Sequence, residues 1–306
     1  MPEIAYEKAK AHPLRSTRDG RGALALDGAS DDRPTILRPG ACAYAELGVT
    51  SNFTFLTGAS HPDELVEHGA ELGLSAVAIT DTNTLAGIVR AHVAAKEAGM
   101  QLIVGCRLVL ASPRGLRVLV YPTDRAAYAR LCRLLTLGKR RAPKGECHLT
   151  LHDLIDHSEG LLAVVEPPHP PGALDDQFIA TVRGLQSVFT HDRLSLSASR
   201  AYGPDDATRL RQLQALAEHV RVPLVATNDV VYHAPGRRAL QDVLTCIRHG
   251  CTIEEAGRRL LANAERHLKP GDEMARLFSA LGVAGDRAIA RSVEIAHRAS
   301  TFNLDQ

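Results

Sequence analysis

Three side chains of types that commonly bind zinc lie close together at Cys147, His148 and His152. Two histidines four residues apart can share one face of a helix and bind one metal ion. The run from Thr150 to Asp153, however, is typical of a helix start, which would place the two histidines on either side of a helix boundary. The chain has 14 histidines and no His-x-His pair. We interpret this group as surface histidines, with a zinc site as the alternative.

A local excess of positive charge lies a few residues earlier, between a predicted helix and the next element. It consists of Lys139, Arg140, Arg141 and Lys144. Each cation could add a salt-dependent contact with the phosphate backbone of DNA. A solvated basic loop is the alternative, and composition alone favours it. These four residues are possible DNA-backbone contacts.

Short apolar runs alternate with helical patterns over most of the chain. Strands are predicted at 76–80, 102–104, 117–121, 161–165, 193–196 and 223–227, and helices at 62–72, 85–98, 124–137 and 205–219. Such alternation predicts a parallel sheet with helices outside it, and about seven units predict an α/β fold of the closed (β/α)7-type barrel. Functional residues of a parallel barrel lie at the carboxyl ends of its strands.

Two carboxylates follow predicted strands, Asp81 and Asp229. Each has a structural alternative to a role as a metal ligand. Asp81 could cap the helix predicted to begin at Leu85. Asp229, in a Thr-Asn-Asp sequence, could be a turn former. The residues themselves leave both alternatives open.

Bulk composition narrows the class of protein. The 306 residues are 45% hydrophobic and 23% charged, with a formal net charge of +1, which indicates a globular chain without a global basic field. No run is apolar enough to span a bilayer and the start lacks a signal-peptide pattern, so we expect a cytoplasmic protein with no membrane partner. The six cysteines form no CxxC pair and are interpreted as reduced thiols.

The segment from Tyr44 to Leu65, YAELGVTSNFTFLTGASHPDEL, resembles the opening of the PHP (polymerase and histidinol phosphatase) domain of bacterial C-family DNA polymerases. Further segments resemble the error-prone, translesion branch of that family. They lie at 79–99, 119–124, 131–141, 240–248 and 263–270. The resemblance implies a distorted PHP barrel followed by helices that lead towards a polymerase region.

A PHP metal centre needs several His, Asp and Glu ligands from different strand ends, which together activate a water for attack on phosphorus. By the resemblance, most ligand positions have lost their ligand here. The degenerate positions are Gly48, Thr50, Thr57, Thr82, Arg107, Arg117 and Val231. The surviving acids are Asp81 and Asp229. The resemblance therefore implies no metal site and no catalytic residue in this chain.

Arg107 and Arg117 would bring positive charge to the place of the missing ligands. We expect them to form an ion-pair network with Asp81 and Asp229, so that guanidinium groups fill the space of a metal ion.

The implied organisation is a flexible leader at 1–42, a PHP-like barrel at 43–234 and a helical extension at 235–306 that packs outside the barrel. The polymerase region itself is expected to lie beyond this chain, so Mg²⁺ and nucleotidyl transfer would belong to that region. We expect a structural role in DNA repair by translesion synthesis. The expected partner is the polymerase core, with the DNA backbone and mutagenesis-complex proteins as further candidates. The alternatives are a metal-dependent phosphoesterase or 3'-5' exonuclease, and a stand-alone protein-interaction module.

Overall fold

The computed structural model describes residues 42–168, 174–200, 202–203 and 205–305. The predicted leader lies outside these residues, apart from Cys42. The strands are β1 Ala45–Val49, β2 Ala76–Ile79, β3 Leu102–Val104, β4 Cys106–Val109, β5 Arg117–Pro122, β6 Leu161–Glu166, β7 Leu194–Ala198 and β8 Leu224–Ala226. The first helices are α1 Pro62–Glu71, α2 Ile88–Ala98, α3 Arg125–Arg140, α4 Leu151–Asp156 and α5 Asp176–Val188. The others are α6 Asp206–Val220, α7 Arg238–His249, α8 Ile253–Ala256, α9 Gly271–Phe278 and α10 Val283–Ala299.

The strands form two sheets that join into a barrel. One sheet has the order β1-β2-β3 and the other the order β4-β5-β6-β7-β8. Parallel bridges connect the two sheets at two places, between Val49 of β1 and Val230 after β8 and between Thr82 after β2 and Arg107 of β4. The predicted closed α/β barrel is confirmed.

Gly105 joins β3 to β4, so that the two short strands act as one bent strand and the barrel has seven positions. A β-carbon at Gly105 would lie 2.8 Å from Thr80 Cγ2 and 2.9 Å from Tyr121 Cδ1, which leaves room only for glycine. The bend passes the strand from one sheet to the other.

One strand departs from the predicted parallel arrangement. β5 runs antiparallel to both β4 and β6, whereas the pairs within β1-β2-β3 and β6-β7-β8 are parallel. Because β5 is inverted, its first residue, Arg117, lies at the barrel end where the other strands finish. A sequence pattern does not distinguish strand direction, since the side-chain period is two residues in either case.

Helix ends follow local capping rules at several points. Asp124 accepts a hydrogen bond from the backbone N–H of Ala127 at the start of α3, and Asp175 does the same for Phe178 at the start of α5. Thr150 forms a capping box with Asp153 at the start of α4. These caps orient the outer helices against the strands.

Helix α10 closes the barrel at the amino ends of the strands. Its residues Ile295, Ala296 and Ala299 belong to the same buried cluster as Leu47 of β1 and Val225 of β8. The Ser292 hydroxyl also accepts a hydrogen bond from Ala45 N–H at 3.2 Å. The predicted division at residue 234 stays a prediction, but this helix beyond it contributes to the barrel interior and does not pack only on the outside.

None of the helices in the described ranges combines the length and the apolar content that crossing a membrane requires.

Candidate functional site

The candidate site is the mouth of the barrel, where β1, β2, β6 and β8 end and β4 and β5 supply one arginine each. Some of the positions that the resemblance marked as degenerate lie together at this mouth. Thr50 and Arg107 are hydrogen-bonded partners, Gly48 lies beside Asp229 in the wall, and Thr82 bridges to Arg107 through the backbone. Val231 is buried nearby but belongs to a separate small apolar cluster with Ala59 and Tyr232.

Arg107 is the centre of the site. Its guanidinium donates to Thr50 Oγ1 at 2.6 Å, to Glu166 Oε1 at 3.1 Å and to Asp229 Oδ1 at 2.6 Å. The side chain is only 6% exposed, and that of Glu166 only 7%. Burial by itself would lower the pKa of Arg107, but Glu166 and Asp229 raise it well above its usual range, so the cation is retained. Arg107 therefore connects β4 with β6 and with the residues that follow β1 and β8.

Asp229 is held by a second arginine, Arg266. The Arg266 guanidinium lies 2.6 Å from Asp229 Oδ2 and also donates to the Asp229 backbone carbonyl at 2.7 Å. Asp229 itself has φ +46°, in the left-handed region that turn-forming aspartates tolerate. Asp229 thus forms a turn, as the structural alternative proposed, and its carboxylate is a partner of arginines in the site rather than a metal ligand.

Arg117 pairs with a carboxylate that was not expected. Its Nε lies 3.6 Å from Glu166 Oε2, and its side chain is 31% exposed. An ion-pair network is therefore present, but only in part as expected, because its two carboxylates are Glu166 and Asp229 rather than Asp81 and Asp229, and Arg266 joins Arg107 and Arg117. Glu166 and Arg266 were not predicted from the sequence, because Glu166 ends a strand that lacks a family motif and Arg266 is remote from Asp229 along the chain.

Asp81 was expected in the network or as a helix cap, and it has neither role. It accepts hydrogen bonds from Ser51 N–H at 2.8 Å, from Ser51 Oγ at 2.7 Å and from Thr54 Oγ1 at 2.7 Å. Helix α2 begins only at Ile88, after Gly87, with no side-chain cap. Burial raises the pKa of Asp81, and the hydrogen bonds from Ser51 and Thr54 oppose this. Asp81 holds the loop after β1 in place.

Glu46 is a further buried carboxylate that the sequence did not single out. It accepts hydrogen bonds from Tyr44 Oη at 2.7 Å and from the backbone N–H groups of Gly48 and Asn228 at 2.9 Å each. Burial raises its pKa. Neutral donors satisfy Glu46, so it does not act as a counter-ion of Arg107.

These residues do not fit a metal ion. A cation placed between Thr50, Glu166 and Asp229 would coincide with the Arg107 guanidinium, which already donates a hydrogen bond to each of them. Within the described ranges, no group of three or more His, Cys, Asp or Glu side chains could hold a metal ion. Thr57, at another degenerate position, receives a hydrogen bond from Arg248 at 2.8 Å.

Only part of the basic segment at 139–144 is the loop that was predicted, since Lys144 lies in the loop after α3. Lys139 and Arg140 lie in the last turn of α3, and Arg141 is its C-cap residue. Gly138, the first residue after the predicted helix at 124–137, is an interior helix position where a β-carbon would lie 2.6 Å from Leu149 Cδ2. Arg141 pairs with Asp153 at 2.7 Å, while Lys139, Arg140 and Lys144 are exposed. Contact of these residues with DNA stays a prediction.

The Cys147, His148 and His152 group does not converge. His148 precedes α4 and lies 3.1 Å from Glu146, whereas His152 is in α4 and lies 3.6 Å from Asp156. The helix boundary separates the two histidines as the sequence predicted.

The network predicts how stability depends on pH. Burial alone would raise the pKa of Asp229, but Arg266, Arg107 and Arg117 lower it well below its usual range. A carboxyl group with a depressed pKa stabilises the fold fully above its unfolded pKa of about 3.9, and this contribution is lost as the pH falls through the folded pKa. We expect the free energy of unfolding to fall steeply below about pH 4.5. Urea titrations from pH 7 to pH 3 measure this slope.

The matched variant for that titration is Asp229→Asn. It should be less stable than the native chain at pH 7 and should lose less stability on acidification, because it lacks the ionised partner of Arg107 and Arg266. Equal acid slopes for the two proteins would contradict the assignment of this dependence to Asp229.

A family profile described as PHP domain matches residues 46–203. The error-prone DNA polymerase of Caulobacter vibrioides is 50% identical over 255 residues, which cover 83% of this chain and 23% of that protein. Error-prone DNA polymerase 1 of Agrobacterium fabrum is 48% identical over 263 residues, with 86% and 23% covered. The chain thus spans about a quarter of the length of these curated relatives.

Among solved structures, a putative metal-dependent phosphoesterase from Bifidobacterium adolescentis has a TM-score of 0.46 and 16% identity. The match covers 62% of this chain and 88% of the phosphoesterase.

Proposed function

This chain belongs to the PHP domain family, and from that premise we propose that it is the PHP domain of an error-prone DNA polymerase, in which an arginine-centred ion-pair network has replaced the metal centre. The domain would then have a structural role in translesion DNA synthesis. Template-directed nucleotidyl transfer, with Mg²⁺, would be the activity of a polymerase region that is not among these residues.

The observation that carries this proposal is the position of Arg107. A guanidinium in the middle of the barrel mouth excludes a metal ion, and a PHP barrel without its metals has no means to activate water for attack on phosphorus. The same guanidinium contacts residues from three other parts of the barrel, Thr50, Glu166 and Asp229. The network supports a structural role because its ion pairs and hydrogen bonds connect the ends of several strands.

A surface suited to the proposed polymerase core lies on α7. Leu240, Val243 and Ile247 are large apolar residues with 41%, 42% and 60% exposure, and their spacing places them on one face of the helix. Exposed apolar patches of this kind mark protein–protein contacts. We propose that the rest of the same polypeptide covers this face. Mutagenesis-complex proteins and the DNA backbone stay as further proposed partners.

A direct test is the absence of metal-dependent hydrolysis. We expect the purified chain to contain far less than one metal ion per molecule by elemental analysis, and to release no nitrophenol from a nitrophenyl phosphate ester with added Mn²⁺. An active phosphoesterase serves as the positive control. Stoichiometric metal, or hydrolysis that disappears in Asp81→Asn and Asp229→Asn, would favour the phosphoesterase or exonuclease function instead.

The size of the native protein separates a polymerase domain from a stand-alone interaction module. An antiserum against residues 44–300 should detect, in cells treated with a DNA-damaging agent, a product several-fold larger than 32.9 kDa. A product of 32.9 kDa alone would favour the interaction module.

A further inference from the structure

Two cysteines lie together where helix α7 ends, far from the barrel mouth in sequence and chemistry. Cys246 is in the last turn of the helix, and Cys251 follows directly after Gly250. Gly250 has φ +61°, in the left-handed region that commonly ends helices, and its N–H donates to the Ile247 carbonyl at 3.2 Å. The N–H of Cys251 donates to the Cys246 carbonyl at 3.1 Å. These two hydrogen bonds define a Schellman motif, which turns the chain back over the helix end.

The Schellman motif brings the two thiols into contact. Side chains at the positions of Cys246 and Cys251 commonly pack against each other in this motif. Here the two side chains are hydrogen-bonded to each other. With standard bond lengths, the 3.1 Å hydrogen bond between the two backbones keeps the α-carbons within about 7 Å of each other. Disulfides join α-carbons that are roughly 4.4–6.8 Å apart, so the backbone accommodates a bond between the two sulfur atoms with little movement.

The chain after Cys251 is also held in place. Thr252 forms a capping box with Glu255 at the start of α8. The Thr252 N–H donates to Glu255 Oε2 at 3.1 Å, and the Glu255 N–H donates to Thr252 Oγ1 at 3.4 Å. Cys251 therefore lies between two ordered helix ends, which keep its thiol beside Cys246. Two groups held together in this way have a high effective concentration, which favours a bond within one chain over a bond between chains.

The two thiols differ in their access to solvent. Cys251 is partly exposed, whereas Cys246 is only 6% exposed. Burial raises the pKa of the Cys246 thiol, and Cys251, Asp242 and Glu254 raise it further. A protonated thiol is a weak nucleophile, so Cys246 is a poor first target for an oxidant. An oxidant in solvent therefore meets Cys251 first, and Cys246 is the thiol placed to react second.

We propose that Cys246 and Cys251 form a redox modification site, at which peroxide converts the two thiols into a reversible disulfide. Hydrogen peroxide transfers one oxygen atom to the sulfur of Cys251, which gives a sulfenic acid and one water molecule. The sulfur of Cys246 then attacks that of Cys251, the S–O bond breaks, and a second water molecule leaves. The two thiols thus lose two electrons and two protons, and these reduce one peroxide to two water molecules. A dithiol reductant restores both thiols by thiol–disulfide exchange.

The modification would act on the end of the apolar face of α7. Ile247 and Ile253 are close to the two cysteines in sequence and are 60% and 53% exposed. A disulfide would fix the turn from α7 to α8 beside these side chains. Both cysteines are reduced in the structure, so the disulfide is the second state of the site. The site does not depend on the polymerase assignment, since it rests on the two cysteines and the turn between them.

Tryptic peptide mapping of the full chain tests the proposal. Trypsin cleaves after Arg248, which separates Cys246 in peptide 239–248 from Cys251 in peptide 249–258. The reduced chain is treated with hydrogen peroxide, its remaining thiols are alkylated, and the digest is analysed by mass spectrometry. We expect the two peptides to be joined by a disulfide and to separate after treatment with dithiothreitol. The oxidation is repeated on an equal mixture of unlabelled and ¹⁵N-labelled chains, in which a bond within one chain gives no mixed pairs.

The variants Cys246→Ser and Cys251→Ser should each abolish the joined peptides. In Cys246→Ser, Cys251 should instead accumulate as sulfinic acid, because serine does not capture the sulfenic acid. The matched control is Cys132→Ser, which removes a partly exposed cysteine of α3 and should leave the joined peptides unchanged. Absence of the joined peptides from the oxidised native chain, or mixed isotope pairs as the main product, would overturn the proposal. These two results come from the native chain and do not depend on the folding of any variant.

Discussion

Replacing Arg107 with methionine should lower the free energy of unfolding by about 3–5 kcal/mol, the range typical of removing one partner from a buried ion pair. Methionine retains much of the side-chain volume, so the loss is not mainly one of packing. The cost arises because Glu166 and Asp229 lose their common counter-ion while Glu166 is only 7% exposed. Thr50 also loses its hydrogen-bond donor.

Urea denaturation of the chain at pH 7 measures this loss of stability. Two further variants test whether the loss comes from the ion-pair network. Arg117→Gln removes a partly exposed arginine that lies 3.6 Å from Glu166, and its effect should stay below about 1 kcal/mol. The double variant Arg107→Met with Asp229→Asn should be less destabilised than the sum of the two single variants, because the second change removes the charge that the first leaves unpaired. Additive losses, or a loss under about 1 kcal/mol for Arg107→Met, would contradict a structural network centred on Arg107.

Arg107 also shows how far the sequence could predict the site. The resemblance placed an arginine where a ligand belongs, and a buried arginine needs counter-ions, so a network could be expected. Its membership could not, because Glu166 and Arg266 are brought to Asp229 and Arg107 by the barrel and not by spacing along the chain. Asp81 was assigned wrongly for the same reason, since its partners Ser51 and Thr54 lie in the loop after another strand.

The elements themselves were more predictable than their directions and ends. Runs such as Ala76–Ile79 and Leu161–Glu166 are buried along their whole length, and their apolar composition indicates a strand in any context. The antiparallel direction of β5 and the continuation of α3 past Gly138 depend on neighbours that are distant in sequence. In both cases tertiary packing decided between structures that the local pattern permits equally.

Replacing Ala296 with aspartate should be the most damaging single change outside the network, with an expected loss above about 4 kcal/mol. Ala296 is buried in the cluster that fills the barrel interior, beside residues such as Leu47 and Val225. A carboxylate there would have apolar neighbours and no counter-ion. We expect a chain that is largely insoluble or that unfolds without a cooperative transition, measured by soluble yield and by a thermal melt.

The same substitution at Ala290 is the matched control, because Ala290 lies on the exposed side of the same helix. The two variants share the helix-propensity cost of aspartate, which is below about 1 kcal/mol, and a helix-dipole penalty of similar size adds to Ala296→Asp near the C-terminus. A difference in the free energy of unfolding that exceeds these two costs therefore measures the effect of burying the aspartate against the barrel.

If helix α10 closes the barrel, then a fragment of residues 43–234 also lacks part of its own core and should not fold. Equal melting temperatures for the two aspartate variants, together with a folded 43–234 fragment, would instead show that the barrel is complete without the C-terminal helices.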